Sequence, residues 1–91
     1  MKHAGAKALD RLEPLLVLAR GCSALREKSR GVFYFRSKAF LHFHEDPAGL
    51  FADMRGSDGE GFDRVRVDDS AGAQTFVKRL EAVAGSAPVG L

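Results

Sequence analysis

The sequence predicts one α+β domain: an N-terminal helix, a four-stranded antiparallel β-meander and a C-terminal helix, with both helices on one face of the sheet. Three observations point there. Apolar residues recur at helical steps near both ends, with Leu9, Leu12, Leu16 and Ala19 at one and Ala73, Phe76, Val77, Leu80, Val83 and Ala84 at the other. Between them the chain turns β-branched and aromatic in short runs divided by turn formers. A length of 91 residues, with 45% hydrophobic and 29% charged, suits a single small core.

The elements follow in order. Pro14 places the first helix either from Asp10, with the proline in its first turn, or as a longer helix kinked there. Gly21 ends it, and Cys22 to Arg30 reads as a connector with a helical turn at Ser23 to Lys28. Val32 to Phe35 and Phe40 to His44 form a hairpin, with Phe35 opposite Phe40 and Phe33 opposite His42. Asp46-Pro47-Ala48-Gly49 has the residue preferences of a type I turn, from which Leu50 to Arg55 returns as the third strand. The glycine-rich link at 56–61 leads to a fourth strand, Phe62 to Asp68. Asp69 or Ser70 caps the last helix, Gly85 stops it, and residues 86–91 are expected as a loose tail after an ordered core of about 6–85.

Charge is uneven. Up to residue 38 there are nine Lys/Arg against three acids, and beyond it five against nine, giving +6 and −4. Two solvated faces that attract one another explain this better than a nucleic-acid surface, which carries a larger overall excess than the net +2 here. The longest apolar run, Leu15 to Ala19, is far shorter than the ~20 residues of a membrane span, and no secretory h-region follows Met1. Cys22 is the one cysteine, so no intrachain disulfide forms, and a cytoplasmic location is expected.

The most unusual segment is Phe40-Leu41-His42-Phe43-His44-Glu45-Asp46. On a strand, His42 and His44 share a face, about 7 Å apart at the Cα, close enough to reach one ion. Asp53 on the next strand is the natural third ligand, making zinc the metal if a metal is bound there. Its availability depends on the turn. A plain two-residue loop at Pro47-Ala48 places Asp53 opposite His42, whereas the left-handed bulge at Gly49 that the turn residues favour moves it to the face of Phe43 and Glu45. A ligand at this surface is expected to meet His42, His44, Asp53, Tyr34 and Arg36. His3 lies too near the N-terminus to count among the ligands.

Other motifs are absent or faint. The glycines at 56, 59 and 61 do not open a helix, so no phosphate loop forms, and no serine sits on a nucleophile elbow. Arg30-Gly31-Val32-Phe33-Tyr34-Phe35 has the alternating aromatics of an RNA-recognition strand, but residues 1–8 do not supply the strand that fold places before its first helix.

The run Gly31-Val32-Phe33-Tyr34, then Ala39 to Pro47 with its FLHFHED string, then Ala52-Asp53, resembles a family of short uncharacterised bacterial proteins. The resemblance spans roughly residues 10–84 and implies a bacterial stand-alone domain, with no activity to carry over. Three function classes follow: a non-enzymatic binding module using the aromatic and histidine sheet surface, a small metal-dependent or histidine-assisted enzyme, and a nucleic-acid binder. Large apolar residues on both expected sheet faces also suggest a homodimer through one of them.

Overall fold

The computed structural model describes residues 2–56 and 59–86, the last three as backbone. It is α+β with an antiparallel sheet, as expected, but the sheet has six strands rather than four. In chain order the elements are β1 (Lys2–His3), α1 (Ala6–Arg11), α2 (Glu13–Arg20), β2 (Leu25–Ser29), β3 (Val32–Phe35), β4 (Lys38–Asp46), β5 (Gly49–Arg55), β6 (Phe62–Arg66) and α3 (Ser70–Ser86). The strands run β2-β3-β4-β5-β6 across the sheet, and β1 pairs with the far half of β4 on the edge that β3 leaves free.

The N-terminal helix is divided in two. Pro14 sits in the first turn of α2, where its missing N–H costs nothing, and a continuous helix would drive its ring toward the Asp10 carbonyl. The break falls at Leu12 (φ −91°, ψ 0°), whose side chain is nevertheless buried, so α1 and α2 share one apolar face. Ala8, Leu9, Leu12, Leu16 and Ala19 line that face.

The supposed connector is an edge strand. In β2, Leu25 and Glu27 are half-buried and Arg26 and Lys28 are exposed, the charged alternation that protects a sheet edge from further pairing. Glu27 earns its place through three bonds. It accepts both Arg20 Nε at 2.7 Å and Nη2 at 3.1 Å, and the Gly31 N–H at 3.0 Å. Gly31 (φ +81°) turns β2 into β3. The Arg20 guanidinium holds the Glu27 carboxyl below its ordinary value of 4.5. A carboxylate with a depressed folded-state pKa contributes stability that is full above its unfolded value and lost as pH falls through the folded one. Glu27→Gln is therefore expected to cost about 1 kcal/mol at neutral pH and progressively less below pH ~4.5, read from denaturant melts across pH.

The β3–β4 hairpin departs from the expected register. Phe35 pairs with Lys38, closing on Arg36-Ser37 with Arg36 left-handed at φ +60°, and Phe33 pairs with Leu41 rather than His42. Tyr34 then pairs with Ala39, so one step in β3 matches two in β4 and Phe40 is the extra residue. Such a bulge re-aims side chains. Phe40 and Leu41 are both buried although adjacent, and Phe40 meets the Phe35 ring at 6.4 Å. Beyond the bulge Leu41 and Phe43 face the helices, and His42 and His44 face away.

Phe33, Leu41, Phe43, Ala52 and Met54 thus form the inner face, and α1, α2 and α3 all pack on it. Phe43 meets Phe76 of α3 at 5.8 Å between ring centres. The outer face carries His42, His44 and Asp53 alongside Phe51 and Phe62. Asp69 caps α3, its Oδ1 accepting the Gly72 N–H at 2.7 Å. The helix continues through Gly85 to Ser86 instead of stopping at the glycine. Apart from Ser86, the expected tail lies outside the described residues.

Candidate metal centre

The outer face of β4 offers His42 and His44, and the turn that follows decides what they meet. Asp46 pairs with Gly49, so the loop is the plain two-residue one and Asp53 lies opposite His42. Asp46 Oδ2 accepts the Ala48 N–H at 3.0 Å, which fixes the turn from within. The bulge that the turn residues favour at Gly49 does not form. Glycine suits this position because its φ of +153° is one that L side chains rarely adopt.

The third histidine arrives from β1. His3 pairs with His44 and Lys2 with Glu45, while the Ala4 N–H donates to the Phe43 carbonyl at 3.0 Å. The Glu45 carboxylate accepts the Gly5 N–H at 2.6 Å and so ties the end of this short segment. His3 stacks on His44 with ring centres 4.7 Å apart and lies 5.7 Å from His42. His42 Nδ1 and His44 Nε2 are 2.9 Å apart. One ligand atom from each of the three rings can be chosen so that all lie within 4.8 Å of one another.

Asp53 completes the group without being free. Its carboxylate takes the Arg64 guanidinium as a fork, at 2.8 Å through both nitrogens, and Oδ2 lies 3.3 Å from His44 Nε2. Phe62 of β6 covers His42 from the other side, 4.8 Å between centres. His44 Nδ1 is buried and meets no partner at full hydrogen-bond geometry among the described residues, with the Lys2 backbone as a weaker neighbour.

Electrostatics match the geometry. Burial pushes His42 and His44 below the ordinary imidazole value, and the His44 ring adds to the effect at His42. The Arg64 fork holds the Asp53 carboxyl below its ordinary value. At neutral pH His42 and His44 are therefore neutral imidazoles beside an ionised carboxylate. Around a tetrahedral ion, nitrogen ligands ~2.0–2.1 Å from the metal stand about 3.3 Å from each other. The ligand atoms of the three rings, all within 4.8 Å of one another, span at most about 1.5 Å more than that.

Of the residues expected from sequence, His42, His44 and Asp53 are brought together. Tyr34 and Arg36 are not. Tyr34 takes Lys28 over its ring at 4.7 Å, and Arg36 stands at the hairpin tip over Phe35 at 4.9 Å. His3, Phe62 and Arg64 were missed. Arg64 was legible as the residue that faces Asp53 across β5 and β6 once the register is known, whereas nothing in the first residues announces a strand. No helix among the described residues is long and apolar enough to cross a membrane. Comparison with family models, with curated proteins and with solved structures gives no match.

Proposed function

We propose that this is a metal-binding domain whose outer sheet face takes one transition-metal ion of the zinc class through His3, His42 and His44. The observation that carries this is the convergence of three imidazoles from two strands far apart in sequence. Asp53 acts as the positioning carboxylate, set beside His44 and fixed in turn by Arg64. Binding modules and zinc enzymes share this geometry, since three protein ligands leave a coordination position open. The open position favours a small metal-dependent enzyme as the second reading. A nucleic-acid role draws less support, because Arg20 and Arg30 of the basic half are tied to Glu13, Glu27 and Asp10. A cytoplasmic location belongs to the same proposal and rests on the lone Cys22, which is buried and free.

Calorimetric titration of the metal-free protein with Zn²⁺ tests it. One saturable site is expected. His3→Ala, His42→Ala and His44→Ala should each weaken it by about a hundredfold or more, and Asp53→Asn by about 10–100-fold, with thermal melts confirming that each variant folds. No heat with the folded protein, or binding untouched by His3→Ala, would overturn the proposal.

A further inference from the structure

Away from the histidines, the end of the sheet beyond helix cover opens into a cleft of about 650 Å³, within the ~300–1,000 Å³ of small-molecule sites. Its walls are of two kinds. Phe35 and Phe40 from the hairpin face Ala82 and Val83 of α3, and around them stand Arg36, Lys38, Arg55 and Arg79. Among the described residues that line the cavity are four cations and no acid.

The cations differ in how they are held. Arg55 donates to the Ala39 carbonyl at 2.7 Å and the Gly59 carbonyl at 3.0 Å, so its charge is fixed by neutral groups. Arg79 reaches the Arg55 carbonyl at 3.3 Å and Asp63 at 3.1 Å. Arg36 and Lys38 make no ion pair among the described residues. Positive charge is thus concentrated at one apolar opening, and the Phe40 bulge supplies its aromatic wall.

We propose that this cleft binds a small amphipathic anion, an apolar body carrying a single carboxylate. The body lies between the two phenylalanines and the α3 wall, where it leaves water, and the carboxylate meets Arg36 and Lys38. The site is independent of the metal centre, since none of the histidines lines it.

Decanoate below its micelle concentration is the probe, followed by amide shifts in ¹⁵N-labelled protein. Saturable binding is expected, with shifts confined to residues 35–40, 55–56 and 79–83. Decanol, with the same body and no charge, should bind about tenfold more weakly, and so should decanoate to the double variant Arg36→Ser/Lys38→Ser. Ala82→Asp should abolish binding while leaving the melting temperature of this exposed helix position unchanged. Equal affinity for decanol, shifts centred on the histidines, or no saturable binding would each overturn the proposal. So would capture of the protein by anionic phospholipid vesicles while monomeric decanoate leaves the spectrum unmoved, because the basic rim would then be meeting a membrane surface.

Discussion

Phe76→Ala is expected to destabilise the domain by about 3–5 kcal/mol, close to the whole stability of a small protein. Phe76 is fully buried, among the largest side chains so placed. It is the ring through which α3 meets Phe43 on the inner face of the sheet. Truncation removes its transfer free energy and leaves a cavity between helix and sheet that two layers of backbone cannot close. Urea titration followed by circular dichroism measures the loss. A cost under about 1 kcal/mol would mean that the site collapses, or that α3 docks through other residues.

Gly72→Ala tests the same docking from the backbone side. A Cβ at this position would fall on the Arg66 carbonyl oxygen and lie 2.7 Å from the Arg66 carbonyl carbon. Both obstacles are main chain, so no side-chain rotation relieves them. The first turn of α3 must lift from the end of β6, taking with it the Asp69 cap and the buried Val67. Overpacking in a core costs about 1–3 kcal/mol when side chains can yield. Here about 3 kcal/mol or more is expected, although alanine is the better helix former by up to ~1 kcal/mol. A variant as stable as the parent would show that the helix does not approach the strand this closely.

Much of the fold was legible because it rests on periodicity. The Leu9-Leu12-Leu16-Ala19 stripe and the Phe76-Leu80 face are buried where a 3.6-residue repeat puts them. The third and fourth strands and the first residue of α3 were also readable. β2 was not, since an edge strand buries one side only and its charged residues look like a loop. The Phe40 bulge was equally silent. The side-chain pattern of a run of five apolar and aromatic positions permits either face, and burial of both Phe40 and Leu41 against the helices decides it. At the proposed metal centre, the i, i+2 histidines were visible as a pair, whereas the turn residues favoured a bulge at Gly49 that would have carried Asp53 to the other face. At φ +153° that glycine closes the plain two-residue loop instead. His3 was the real omission. Two residues are too few to show alternation.

That brief strand has a kinetic consequence. β1 is held by two residue pairs and a few bonds near its end, so it belongs to the part of the molecule that opens by local fluctuation rather than by global unfolding. The amide of Ala4 should exchange with solvent far sooner than that of Ala52, which sits in the fully paired centre of the sheet. The strand is therefore expected to open ahead of the rest of the sheet, and a ligand held by His3 is expected to slow that opening.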